Sequence, residues 1–485
     1  MYLHLQSWRV IRLELSDIGL VIHVSKRLFV ANTGCVAQAT SRCISMVKMW
    51  TRKPSRDCDQ TVSLGKTRIT NSPLLISVSR IAIMLISLGT APIISRELGV
   101  DGRGVYATCL AAISLAPVVM GLGIPMAIRR MASVGALEPV IRVSYLIAML
   151  LVGPAFAFGV LVSVLLLPGL TQGDRSVFCI AMGTSALFII VLSVQSGMIS
   201  RGEFTKIAIL QFIQPGVTAA LVIGCWIFSD VTVTFLLISY IIGTAAASII
   251  AVTQICVPVF GPRASMLFVG RRGLRYAGSQ IAETASNTVV LLFAAVVIGT
   301  TETGFLSVAM TLAAIPLAGG YAIGSAVFKS VASSPPDRLI HVRRLAIRTA
   351  IYLGVLVGMV LAFFAPSGIP LLFGAEFDGS VHPALILIAG SPVLVGNYVS
   401  TQVLGAEGRG VTMSICQIGG VLVSLVGLFA VSTHLGAVGA AIGILLGWVV
   451  TFFSSLAALR IGPSVLRINS ADVKASINLC LRGGV

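Results

Sequence analysis

The sequence predicts an all-α, polytopic membrane protein of twelve transmembrane helices in two six-helix lobes related by internal repeat. Three observations predict it. The 485-residue chain is 56% hydrophobic and 11% charged, with a mean hydropathy of +0.99, whereas about a quarter of a soluble domain's residues are charged. Apolar runs of about 20 residues, the length that crosses a hydrocarbon core as a helix, recur along the chain. Similar stretches also return at an offset of 200 to 206 residues.

Lipid offers no partner to backbone polar groups, so each apolar run must be a helix. The runs cover 73–95, 104–127, 143–168, 177–199, 206–228, 232–257, 276–299, 304–328, 347–366, 382–403, 410–431 and 437–460. The lobes are then 70–260 and 261–462, with a cytoplasmic tail of 463–485. Residues 1–69 are basic and irregular and hold no apolar run long enough for a signal sequence. They read either as a disordered cytoplasmic arm or as chain ahead of a later start at Met46 or Met49. "GKT" at Gly65–Thr67 lacks the upstream glycine and preceding strand of a phosphate loop.

"SRELGVDGRGVYA", Ser95–Ala107, interrupts this apolar background with Arg96, Glu97, Asp101 and Arg103 and three glycines. It reads as the hairpin between the first two helices. Gly99, Gly102 and Gly104 supply the turn, and the charges sit in water at the membrane surface. A second copy follows in "IGTTETGFLSVA", Ile298–Ala309, where Gly299 and Gly304 match Gly99 and Gly104. "RGEFTKIAILQ" and "EGRGVTMSICQ" align Gly202 with Gly408 and Gln211 with Gln417. Six helices per half make the repeats parallel, about an axis along the membrane normal.

Lys and Arg set the orientation. With both termini cytoplasmic, 30 of the 34 fall in inner segments and only Arg96, Arg103 and Arg175 in outer ones, with Arg80 inside a helix. The net charge of +17 is therefore mostly inside bias and attraction to anionic lipid, not a nucleic-acid site.

Chemistry-bearing motifs are few. The nine cysteines form no CxxC. Cys109, Cys179, Cys225, Cys256 and Cys416 lie in apolar runs as small hydrophobes. "EFDGSVH" gathers Glu376, Asp378 and His382, either in a solvated loop or around a metal. No outer segment is long enough for a catalytic domain, so neither an enzyme activity nor a cofactor is expected.

Polarity inside the helices carries more. Arg80 stands about seven residues into the first helix. Its side chain either faces an interior cavity or snorkels to the headgroups. In "YAGSQIAETASNTVVLL", Gln280, Glu283, Thr284 and Asn287 recur at i, i+3, i+4 and i+7, one polar stripe that lipid cannot face. Gln280 is the repeat counterpart of Arg80. Gln211 and Gln417 form a second symmetric pair, available for interhelix bonding or substrate contact.

"ISRELGVDGRGVYATCLAAISLAP" and "ETGFLSVAMTLAAIP" resemble the matching first hairpins of the two halves of the Wzx-like polysaccharide flippases. These belong to the multidrug/oligosaccharidyl-lipid/polysaccharide (MOP) exporter superfamily. "PLLFGAEFDGS", "VLGAEGRG" and "LGAVGAAIGILLGW" extend the resemblance, which spans about residues 70–462. It implies two lobes around a central cavity, alternating between inward-open and outward-open. It also implies a cargo of undecaprenyl-pyrophosphate-linked oligosaccharide, flipped across a bacterial cytoplasmic membrane. Arg80, Gln280, Glu283, Asn287, Gln211 and Gln417 are the substrate-contact candidates. Membrane lipids, a polysaccharide polymerase and glycosyltransferases are the expected partners, with a proton or sodium as possible coupling ion. The alternative within the fold is a cation-coupled multidrug exporter, which needs buried carboxylates where this chain offers only Glu283. A membrane glycosyltransferase would need paired catalytic carboxylates, and a scaffold would act through the basic arm.

Overall fold

Backbone satisfaction in lipid leaves helices as the only open-chain solution, and every regular element among the described residues is helical. The computed structural model describes residues 74–132, 137–167, 169–333 and 336–462. The expectations for the 1–69 arm and the 463–485 tail lie outside the described residues.

The helices are α1 (Leu74–Met120), α2 (Ile124–Ala132), α3 (Leu137–Leu165), α4 (Gln172–Ser185), α5 (Phe188–Arg201), α6 (Phe204–Phe228) and α7 (Val233–Ile255). After these come α8 (Met266–Ala313), α9 (Leu317–Ser333) and α10 (Pro336–Phe373). A 3₁₀ turn at Ala375–Ser380 leads to α11 (Val381–Ala389), α12 (Ser391–Ala406) and α13 (Gly410–Ala458). Local chemistry sets several ends. Thr171 and Thr232 accept the backbone N–H of Asp174 and Phe235 as N-caps of α4 and α7. Gly202 closes α5 in the left-handed conformation. Among the described residues, eight helices are long and apolar enough to cross a membrane, or nine if the bent pair Ala375–Ala389 and Ser391–Ala406 is one span.

The longest helices are broken where the repeat places its hairpins. Gly99 in α1 holds φ 65° and ψ −177°, and Gly299 in α8 holds φ 82° and ψ 173°. Gly436 breaks α13 with φ 55°. No side chain with a Cβ adopts these backbone angles without strain. The hairpin turns on Gly99 alone. Gly102 and Gly104, expected to share the turn, are helical.

Gly104 has a different task. A Cβ there would lie 2.0 Å from the Thr300 carbonyl oxygen, and one on Gly304 would lie 2.2 Å from the Val100 carbonyl oxygen. The two glycines related by the 200-residue offset therefore meet each other, and α1 and α8 touch backbone to backbone. Small residues at helix crossings in membranes serve this close packing. Polar ties surround the crossing. Asp101 accepts hydrogen bonds from Thr300 Oγ1 at 3.1 Å and from Thr301 Oγ1. Glu302 accepts the Ala437 N–H at 2.6 Å, just past the Gly436 break. Arg96 donates to the Leu371 and Leu372 carbonyls near the end of α10. All three breaks thus lie at one end of the bundle, called here the hairpin end.

The opposite end carries most of the described cations, and some are used structurally. Arg142 donates to the carbonyls of Pro258 and Pro262 and pairs with Glu138 at 2.9 Å, which pins the segment joining α7 to α8. Glu407 pairs with Arg343 at 2.6 Å.

The crossing makes a sharp contrast between two glycines of α1. Gly104→Val is expected to lower the thermal unfolding midpoint of the purified protein, at a cost of at least about 1–3 kcal/mol, the usual range for overpacking. Gly89→Ala, with nothing within 4 Å of its Cβ position, is expected to be neutral or slightly stabilising. Equal midpoints for the two variants would show that α1 and α8 do not meet there.

Candidate functional site

A cavity of about 500 Å³ opens beneath the Gly104–Gly304 crossing, within the size range of small-molecule sites. One face of the second half of α1 forms a wall of it. Arg103, Tyr106, Ala107, Leu110, Ser114 and Pro117 all line it, at the three- and four-residue spacing of a helix face. Ser307, Met310 and Thr311 of α8 stand opposite. Ala107 and Ser307, Leu110 and Met310, and Ala111 and Thr311 are pairs at the 200-residue offset, and every one of these lines the cavity. The repeat axis therefore runs through it. Gln214 of α6, Tyr240 of α7 and Thr288 of α8 add polar groups.

Arg103 is the charged residue in this lining among the described residues. The sequence reading put it in water with the rest of the hairpin, and the structure corrects this. Arg103 is 8% exposed. It lies one turn past the Gly99 break, so the helix carries it inward rather than across the surface. Its Nη2 makes one long contact of 3.5 Å to Thr311 Oγ1, and its Nε has no partner. No carboxylate among the described residues lies within ion-pair distance of it. Tyr106, one turn deeper, is 6% exposed.

Arg80 occupies a separate place in the first half of α1. It is exposed. It donates to the Tyr398 hydroxyl at 3.3 Å and lies over the Tyr321 ring at 5.2 Å. Tyr321 and Tyr398 pack edge to face, 4.9 Å between centroids. Ser77 donates to the Tyr321 carbonyl at 3.3 Å. α1 is thereby tied to α9 and α12 through neutral partners.

Gln211 accepts a hydrogen bond from Ser79 at 3.0 Å, joining α6 to α1 beside Arg80. Gln417 is 5% exposed, and its Oε1 has no partner. Gln280 is half-buried on α8. It lies two turns from Thr288 on the same helix face, so the predicted stripe leads toward the cavity. Arg80, Gln211, Gln280 and Gln417 do not themselves line the cavity. The side chains of Glu283 and Asn287 lie outside the described residues. Around "EFDGSVH", Glu376 approaches Gly99, its carboxylate oxygens 3.9 Å from the position of a Cβ. No group of three or more His, Cys, Asp or Glu is placed to hold a metal among the described residues. Sequence reasoning missed the cavity wall because Ser114, Ser307 and Thr311 are single hydroxyls in apolar runs. The signal available was their spacing, Ser307 and Thr311 at i and i+4 facing Arg103 across the repeat.

A sequence profile of the polysaccharide biosynthesis protein family matches residues 69–328, more than half of the chain. The chain belongs to that family. No curated protein matches the sequence. Solved structures share the fold of this polysaccharide biosynthesis protein at low identity. The lipid II flippase MurJ in an inward closed conformation aligns with a TM-score of 0.65 and 13% identity over 84% of this chain and 90% of that one. An inward-facing multidrug-resistance MATE family transporter of the MOP superfamily aligns at 0.56 and 15%, over 82% and 99%. A MOP superfamily transporter from Pyrococcus furiosus aligns at 0.56 and 14%, over 81% and 96%. The protein is a multi-pass membrane protein with the MOP transporter fold.

The two glutamines separate by environment. Gln211→Leu is expected to cost about 0.6 kcal/mol, the average for an interhelical hydrogen bond in a membrane. Gln417→Met removes a buried carbonyl oxygen that has no partner, and is expected to leave the unfolding midpoint unchanged or raise it. A large destabilisation by Gln417→Met would show that its amide is structurally bonded.

Proposed function

We propose that the protein flips an undecaprenyl-pyrophosphate-linked oligosaccharide from the cytoplasmic to the periplasmic leaflet of a bacterial inner membrane by alternating access. The observation that carries this reading is that two arginines of α1, Arg80 and Arg103, are held by neutral partners. A diphosphate carries fixed negative charge that hydrocarbon does not solvate. Guanidinium groups offer it planar, charge-assisted hydrogen bonds. The hydroxyl and amide groups of the cavity wall suit a saccharide. An exporter of cationic drugs would need a carboxylate in the cavity, and the described lining has none.

In this reading residues 70–260 and 261–462 are the two lobes. Twelve spans follow when each broken glycine is read as the turn between two of them. The arginine-rich end faces the cytoplasm, as the distribution of Lys and Arg requires, with both termini there. Arg80 receives the headgroup near the cytoplasmic mouth. Gln280, Glu283 and Asn287 contact sugar along the stripe, and Gln211 and Gln417 support or contact it from α6 and α13. Release to the other side requires the ties around Gly104 and Gly304 to part while the contacts of Arg80 to Tyr321 and Tyr398, made in this structure, hold. A proton or sodium gradient is a candidate drive. The polymerase and glycosyltransferases of the same polymer are the proposed partners.

Cells depleted of the protein are expected to retain lipid-linked oligosaccharide on the cytoplasmic leaflet, with drug sensitivity unchanged. Complementation by Arg80→Ala should fail and by Arg80→Lys should be partial, since lysine keeps the charge but loses the planar fork. Normal arrival of lipid-linked sugar at the outer leaflet in depleted cells, with altered drug sensitivity, would replace this reading with the drug-exporter one.

A further inference from the structure

Arg103 is held in a way that its own chain does not complete. A guanidinium presents several N–H donors in a planar fork. Here a single one reaches an acceptor, Thr311 Oγ1, at 3.5 Å, and Nε is buried without any. The group is 8% exposed in a helix that spans the membrane, where an uncompensated charge is strongly unfavourable. Three acids at the hairpin end are engaged elsewhere, and none among the described residues pairs with Arg103. Asp101 accepts from Thr300 and Thr301, Glu302 from the Ala437 N–H, and Asp174 from Thr171 and Thr234. What faces Arg103 is instead a cavity of about 500 Å³, with Ser307 and Thr311 on its opposite wall.

We propose that Arg103, Ser307 and Thr311 form an oxyanion-binding site at the hairpin end of the cavity, and that it takes a phosphate or diphosphate group. The missing counter-charge is then a ligand. The arginine supplies charge and paired donors, and the Ser307 and Thr311 hydroxyls, which here donate to the Gly304 and Ser307 carbonyls, turn from them to complete the shell of the oxyanion. This site is distinct from Arg80, which lies in the other half of α1, is exposed and contacts Tyr321 and Tyr398. The site stands without the transport reading. Assigning the anion to the cargo headgroup rests on that reading, and makes Arg103 a second station that the headgroup reaches beyond Arg80. The site lies directly beneath the Gly104–Gly304 crossing. An anion drawn to Arg103 would therefore arrive at the ties that must part for release.

The test uses the full-length protein in nanodiscs of zwitterionic lipid. Two probes are compared, free inorganic pyrophosphate and an isoprenoid lipid bearing a diphosphate headgroup, by calorimetric titration and by the shift in unfolding midpoint. Arg103→Gln is expected to weaken binding by about 10- to 100-fold, the range for loss of charge-assisted hydrogen bonds. Arg103→Lys should lose less, and Thr311→Val should weaken binding severalfold with the arginine intact. Without anion, Arg103→Gln should unfold at or above the wild-type midpoint, because it removes a buried charge that has no partner. Binding of free pyrophosphate assigns the site to the oxyanion alone. Arg103-dependent binding of the lipid probe only assigns it to a headgroup delivered with its lipid, and both outcomes support the site. The proposal is overturned if wild-type protein binds neither probe, or if Arg103→Gln binds like wild type. It is also overturned if Arg103→Gln lowers the anion-free midpoint, which would make Arg103 a structural residue. Wild-type binding by Arg103→Gln counts against this site and leaves the flippase reading standing. Arg103-dependent binding without transport of lipid-linked sugar counts against the flippase reading alone.

Discussion

The backbone contact between α1 and α8 at Gly104 and Gly304 is the constraint on which the rest of the arrangement depends. With carbonyl oxygens within 2.0–2.2 Å of where a Cβ would stand, no other residue fits at either position without separating the helices. That approach brings Thr300 and Thr301 to Asp101. It also brings the two matching helix faces, Ala107–Ala111 and Ser307–Thr311, to opposite sides of one cavity. Duplicated halves have one place where equivalent residues can touch, the axis that relates them, and here glycine fills it. The cavity inherits its position from that contact.

Equivalence of backbone does not extend to chemistry. At the repeat positions lining the cavity, the first copy supplies Ala107 and Ala111 and the second supplies Ser307 and Thr311. The first copy supplies Arg103 where the second has Thr303, which bonds its own helix at the Gly299 carbonyl. The result is a symmetric frame holding an asymmetric set of charges, cation on one wall and hydroxyls on the other.

Polar groups in the described spans follow two patterns. Most serines and threonines return a hydrogen bond to a carbonyl one turn back in their own helix, as Thr108, Ser144, Ser239 and Thr451 do. These satisfy a hydroxyl in lipid without specifying a neighbour. The few that cross between helices, Ser79 to Gln211 and Arg80 to Tyr398 among them, fix which helices stand together. Arg103 makes one such crossing, a long 3.5 Å contact to Thr311, and leaves its Nε without a partner.

The sequence by itself determined the class of the fold, the breaks at Gly99 and Gly299 and the uneven distribution of Lys and Arg. Each follows from a local rule: apolar length against bilayer thickness, left-handed backbone for glycine, and the positive-inside bias. The resemblance of its hairpins also led to the right family. It determined less about the ends of helices. α8 starts at Met266 and α10 at Pro336, ten or so residues before their apolar runs, because amphipathic turns outside the membrane continue a helix at little cost. Only the tertiary structure decided which charges are buried. Arg96 and Arg103 look alike in "SRELGVDGRGVYA", yet Arg96 reaches carbonyls at the end of α10 and Arg103 points into the cavity. The turn at Gly99 places these two arginines on different helix segments, and the close approach of α8 then covers one and not the other. Burial is a property of that packing, and no local pattern of residues encodes it.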